Sequence, residues 1–297
     1  MPRRSFAAAL AGLAIIAVPI TGALAHAVCG NRVFPATLTL DDPGVADELS
    51  LPTVQYSPIA GGGSVTSYGF EWDKTITPTI GIGIAGGYVV QHAPGANAQG
   101  WDNLAATLKG QVLCDENHEF MISVGIERDV NNTGSGQLRR YDAIENISTT
   151  TPAIYFGKGF GDLPIGWARA FAVTGVIGYE ISDRPARGPN QVDYAMSLQY
   201  SLPYFNQHVR AIGLPAFFTH LVPTIEIAMS TPDRGGTATG TISPGVFYEA
   251  ATWQAGAEAM IPINHTTRQT QGTGFIVQFH LFLDDLLPNS LGRPLFR

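Results

Sequence analysis

Two long runs of strict alternation, Phe171 to Ile181 and Val192 to Leu202, constrain this chain more than any other feature. In the first, Phe171, Val173, Gly175, Ile177, Tyr179 and Ile181 share one parity, while Ala172, Thr174, Gly178, Glu180 and Ser182 share the other. In the second, Val192, Tyr194, Met196, Leu198, Tyr200 and Leu202 alternate with Asp193, Ser197, Gln199 and Ser201. Successive strand residues point to opposite faces, so each run has one apolar face and one small or polar face. Strands of about ten residues, apolar on one side from end to end, exceed the usual globular strand of roughly five or six. Aromatic residues sit toward the ends of the apolar parity, and acids, amides and hydroxyls fill the other. That is the pattern of a strand between lipid and a wet lumen. A large soluble β-sandwich also alternates, so the rest of the chain has to discriminate.

The N-terminus supplies the compartment. Arg3 and Arg4 precede an apolar stretch from Phe6 to Ile20, and Ala23, Ala25 and Ala27 offer a cleavage site, so residues 1–27 read as a removable signal. The chain has 17 Lys and Arg against 24 Asp and Glu, and its net charge falls from −7 to −9 once Arg3 and Arg4 leave with the signal. An acidic exported chain is a poor fit to nucleic acid, which draws much of its affinity from basic side chains on phosphates. No later run approaches the roughly 18 apolar residues of a spanning helix, so a membrane would be crossed by strands. Cys29 and Cys114 are the only cysteines, and an even pair in an exported chain reads first as a disulfide.

Further runs follow the same phase rule. Tyr68, Phe70 and Trp72 oppose Ser67, Gly69, Glu71 and Asp73, and Ile80, Ile82 and Ile84 oppose Gly81, Gly83 and Ala85. Those small residues suggest an inner wall closely approached by something else, or sharp curvature. Trp101–Cys114, Glu119–Asp129, Thr151–Phe160, Phe217–Ser230, Thr239–Glu249, Thr252–Ile263 and Gly274–Leu283 continue the series. With a weak first strand, Leu49–Ser57, interrupted by Pro52, they make twelve. Short connections at 75–78, 115–118, 161–165 and 250–251 alternate with longer ones at 92–100, 130–150, 183–190, 231–238 and 264–273, and 203–215 is the one exception. Short periplasmic turns and long outer loops are expected of an outer-membrane barrel. The reading is therefore an all-β, transmembrane antiparallel up-and-down β-barrel of about 12 strands in the bacterial outer membrane. Its parts are a signal at 1–27, a periplasmic lead-in at 28–48, the barrel at 49–283 and a C-terminal tail at 284–297.

That orientation puts Cys114 at the periplasmic end of its strand, where Cys29 in the lead-in can reach it. The phase rule turns Glu71, Asp73, Glu127, Glu180, Asp193, Glu226, Glu249 and Glu258 inward, with Lys109, His220 and His280. An excess of carboxylates along a wall favours cations, because side-chain charge sets pore selectivity. The same acids would equally serve a packed polar interior, and the sequence leaves pore and plug open. Asp41-Asp42 and Asp284-Asp285 read as solvated loop acids without calcium-loop spacing.

A membrane lipase is the rival from another class, and it needs a hydroxyl nucleophile with a His base. None of the seven histidines is followed two positions later by Ser, the strand spacing that would put both on one face. His265-Thr266-Thr267 lies in an expected loop, and His220 with Glu226 or His280 with Gln278 would make no more than polar dyads. The reading is non-enzymatic, with no cofactor and no metal.

The lead-in CGNRVFPATLTLDDPGVADELSLP from Cys29 to Pro52, the segment QAGAEAMIPIN from Gln254 to Asn264 and the closing FHLFLDD resemble a family of proteobacterial outer-membrane β-barrel proteins. That family is grouped with transporters related to the MetA pathway of phenol degradation. The resemblance implies a porin-like or transport role and carries no catalytic residues; the non-strand tail ending at Arg297 departs from the usual terminal aromatic strand. The partners expected are outer-membrane lipid and small solutes. A barrel sheathing a periplasmic protein through the lead-in and the 203–215 connection is the alternative.

Overall fold

Residues 27–94, 96–136 and 147–296 are described by the computed structural model, so most of the expected signal, the part of the 130–150 connection that carries Arg139-Arg140, and Arg297 lie outside the described residues. A short hairpin, β1 (Ala27–Cys29) and β2 (Arg32–Phe34), comes first. The chain then runs through β3 (Glu48–Pro58), β4 (Ser64–Thr77), β5 (Ile80–Ala93), β6 (Ala96–Trp101), β7 (Leu104–Asp115), β8 (Phe120–Val130) and β9 (Thr149–Gly159). It continues through β10 (Phe171–Ser182), β11 (Gln191–Tyr200), β12 (Leu221–Pro232), β13 (Thr239–Glu249), β14 (Trp253–Pro262) and β15 (Gly274–Phe282). All pairings are antiparallel, and β3 bonds to β4 on one side and β15 on the other. The twelve strands other than β1, β2 and β6 form a closed barrel.

Closure decides between barrel and sandwich. Ile80, Ile177 and Leu198, which a sandwich would bury against one another, are 43, 58 and 41% exposed. Their faces point outward all round the ring, where hydrocarbon replaces the missing second sheet. Two irregularities explain weak spots in the alternation. The register of β3 slips between Ser50 and Thr53, which places Pro52 at a bulge, where a residue without an N–H is tolerated. The register of β7 slips between Gln111 and Leu113, and Val112 and Leu113 both face out.

Three segments depart from the sequence expectation. The polar stretch 92–100 is no loop: β5 runs on to Ala93 and β6 folds back on it, so Trp101 ends this outer hairpin instead of opening β7. The long connection after β11 holds a helical turn, Leu202–Tyr204, then a π-helical turn, Phe205–Val209, and a 3₁₀ turn, Phe218–His220. Most consequentially, residues 35–47, expected in a periplasmic lead-in, fold back into the lumen. We call them the strap. The tail forms a helical turn, Leu283–Leu286, and then returns beneath β4, where Leu295 and Phe296 donate backbone bonds to Thr75 and Ile76.

Candidate functional site

An inward-facing wall of polar side chains needs partners, and the strap supplies them. Ser123, Glu226 and Gln254 are at most 1% exposed, although each lies on the lumen side of its strand. Gln254 Nε2 donates to Ala36 O at 2.6 Å, and Ser123 Oγ donates to Pro43 O. Glu226 Oε2 accepts from both Thr39 N, at 2.8 Å, and Thr39 Oγ1, at 2.5 Å. Lys109 pairs with Asp41 at 2.6 Å and donates to Asp42 O at 3.1 Å. The glycines of the wall make room for this: a Cβ at Gly81 would sit 2.9 Å from Val45, and one at Gly157 would meet Phe34 and Pro43 at 3.0 Å. Close approach by another segment is therefore one reason for the small residues of the inner wall.

Both ends of the strap are tied at the same rim of the barrel, the one expected to face the periplasm. Upstream, Cys29 and Cys114 form a disulfide across a Cα separation of 5.8 Å. Beside it the fully buried Arg32 bonds Glu119 at 3.2 Å, Ala170 O at 3.3 Å and Arg169 O at 2.5 Å, with its guanidinium 3.7 Å from the centre of the Tyr204 ring. Tyr204 OH closes the clamp by donating to Glu119 Oε1 at 2.7 Å. Burial first, and Glu119 second, push the Tyr204 phenol up to about 12, so it remains a donor there. Downstream, Asp47 takes a 2.6 Å ion pair from Lys74 and accepts bonds from Thr75 N and Oγ1. Lys74 also holds the tail through Leu291 O and Arg293 O.

Above the strap the lumen opens into a cavity of about 530 Å³. Asp41 lies in its floor, and Glu71, Glu127 and Asp193 stand in its wall, with no cationic side chain among the described lining residues. Hydroxyls of Thr239, Thr241, Thr267 and Thr270 line the side toward β13 and the outer helical turn His265–Thr270. That turn is capped by Asn264 Oδ1 on Thr267 N, as an Asn at this position commonly does. Two of the wall acids hold polar neighbours: Ser230 Oγ donates to Asp193, and Thr107 Oγ1 to Glu127 at 3.4 Å.

The structure divides the acids of the sequence reading into groups. Glu71, Glu127 and Asp193 meet in the outer cavity. Asp73 and Lys109 line a space of about 30 Å³ against the strap, together with Asp41, Asp42 and Glu48. Glu226 and Glu258 lie beneath the strap, 0 and 4% exposed. Glu180 stands near the outer end of β10 opposite Gln191, outside the cavity lining. His220 corrects the phase rule. It precedes β12, so strand parity does not apply, and its ring stacks on Tyr248 while Nδ1 meets Glu249 O at 2.7 Å. It pairs with Glu226 no more than His280 pairs with Gln278, whose amide donates to Thr53.

His280 instead lies between Ser50 Oγ, 2.7 Å from Nδ1, and Glu48, 2.9 Å from Nε2. This Ser–His–Glu chain joins β3 to β15 across the barrel seam, so a search for Ser two positions from His along one strand could not find it. The floor was missed for another reason: Thr39, Asp41 and Asp42 lie in a segment with no periodicity. The inner glycines were the only signal that something approaches the wall.

No family model and no curated relative matches the sequence. Among solved structures, the COG4313 outer membrane channel from Pseudomonas putida F1 is similar at a TM-score of 0.51 and 12% identity, covering 84% of this chain and 99% of that one. KdgM porin matches at 0.47 and 10%, covering 79 and 98%, and LpxR from Salmonella typhimurium at 0.44 and 8%, covering 79 and 99%. These neighbours are outer-membrane barrels. The chain is an outer-membrane β-barrel.

Proposed function

We propose that this barrel is a porin-like channel for small solutes that prefers cations, loading them in the outer cavity above the strap. The observation that carries the reading is the cavity lining, which brings Asp41, Glu71, Glu127 and Asp193 together with no cationic side chain among the described lining residues. Inside a narrow lumen such charges are screened less than at a surface, so they attract cations and repel anions. Likeness in fold to a channel and a resemblance in sequence to transport-related barrels support a transport role. The strap fills the lower lumen, so passage of anything larger than a few waters requires it to shift between its two anchors.

Planar-bilayer recording of the refolded protein tests this. Small channel events whose reversal potential under a KCl gradient lies on the K⁺ side are the expected result. Absence of conductance both in the intact chain and after release of the strap would refute the channel reading.

A further inference from the structure

The periplasmic rim carries an apolar shelf that the channel reading does not use. It is made by the β9–β10 connection and the long β11–β12 connection, which pack on each other; a Cβ at Gly166 would lie 3.4 Å from Val209. The second connection has two faces. Inward, Tyr204 is 7% exposed and closes on Arg32 and Glu119. Outward, Ile212, Leu214, Phe217 and Phe218 are 38, 41, 58 and 47% exposed, and beside them Ile165 and Trp167 are 51 and 62% exposed. A contiguous apolar surface of this kind on a rim is a contact surface for something.

What covers it follows from where it leads. Trp167 meets Phe171 edge-on at 6.2 Å, Phe171 meets Tyr200 at 4.7 Å, and Tyr200 meets Phe205 at 6.4 Å. On the far side Phe217 packs on Tyr248 at 5.3 Å, which stacks on Trp253 at 5.4 Å. Phe171, Tyr200, Tyr248 and Trp253 are at the periplasmic ends of outward-facing strand positions, where aromatic girdles meet the bilayer interface. The shelf rings are therefore continuous, ring against ring, with the lipid-facing belt. Arg210 is exposed just past the π-helical turn, and the half-exposed Arg169, two residues beyond Trp167, is held by its Nε on the Leu163 carbonyl at 2.7 Å, so cations stand where headgroup phosphates would be.

We infer that residues 163–170 and 205–218 form a ledge that lies in the inner leaflet of the outer membrane and binds phospholipid through its rings and the Arg210 and Arg169 cations. The ledge is one-sided, under β9 to β13. The same connection that clamps Arg32 on its inner face is thereby held by lipid on its outer face.

The test uses tryptophan fluorescence of the full barrel refolded into vesicles of phosphatidylethanolamine and phosphatidylglycerol carrying bromine at shallow or deep acyl positions. A variant that keeps Trp167 alone of the four tryptophans loses most of its emission to shallow bromine and little to iodide in the water. In the otherwise native chain, Trp167→Phe removes a shallow-quenched component, so the test does not depend on the multiple variant folding. Quenching of Trp167 by iodide and not by brominated lipid overturns the inference. A photoreactive residue in place of Phe217 provides an independent reading in whole cells: a lipid adduct supports the ledge, and a protein adduct in its place assigns the surface to a periplasmic partner.

Discussion

Ser50, His280 and Glu48 stand in the order a hydrolase uses, 3, 5 and 7% exposed, and the space that Glu48 lines holds about 30 Å³. An ester needs far more room than one or two waters occupy, and a nucleophile acts only within reach of its substrate. The Ser50–His280 bond, with Glu48 close to the other ring nitrogen, is better understood as a polar contact across the β3–β15 seam, where a buried hydroxyl needs a partner. Ser50→Ala should therefore leave lipid release from detergent-folded protein at background, as in the parent, and lower stability by about 1 kcal/mol for the lost bond. Hydrolysis that disappears in the variant would show that the site is catalytic after all. Asp284, in the turn after β15, makes a different residue-scale prediction. Burial first, and Glu48 second, raise its pKa to about 8. A carboxyl whose pKa is raised in the folded state stabilises docking while protonated, so that contribution is lost as pH rises from the ordinary carboxylate range through about 8. The tail should become more accessible to protease across that window, and Asp284→Asn, which stays neutral, should remove the dependence. An unchanged pH profile in the variant would discount Asp284 as the source.

At the scale of elements, what was legible in the sequence was whatever has a period. Twelve runs of alternation became twelve barrel strands because parity is itself geometry: a residue two places from Ile177 must share its face. The alternation of short and long connections places Cys114 at the same rim as Cys29, and the disulfide joins them there. The strap has no period, three prolines in its neighbourhood and acids that look solvated, and its conformation comes from lumen groups up to 218 residues away, as with Gln254 and Ala36. Long-range polar partners of this kind leave no local trace. The β5–β6 hairpin was hidden by its polarity, since a hairpin standing clear of the membrane has no need of an apolar face. The strap also makes an element-scale prediction. Its upstream anchor closes a loop across a sequence separation of 85 residues, which the chain-entropy model values at about 4 to 5 kcal/mol. Cys29→Ser with Cys114→Ser should lower the urea midpoint and, because the Arg32 clamp and the packing of Phe34 then hold that end without a covalent tie, lengthen or enlarge the open events in bilayer recordings. Unchanged conductance alongside a lowered midpoint would make the disulfide a stabiliser with no bearing on the strap.

Over the whole molecule, charge is sorted by the medium it faces. The outward parity of twelve strands meets lipid with Ile, Leu, Val and aromatic residues, and the acids at the opposite parity of the strands gather in the lumen. Lys109, the inward cation closest to the cavity floor, is already engaged by Asp41 and the Asp42 carbonyl, so it offsets strap charge more than cavity charge. Cation preference should then arise from the wall acids jointly and not from any single one. Glu71→Gln, Glu127→Gln and Asp193→Asn together should shift the reversal potential under a KCl gradient toward zero, while each alone moves it by a fraction. The wild-type preference should itself weaken at about 1 M salt, where the screening length falls to roughly 3 Å and the wall charges no longer reach across the lumen. If the triple variant kept its preference at low salt, selectivity would have to come from the strap's own Asp41 and Asp42, and neutralising those two, with Lys109 left in place, would be expected to abolish it.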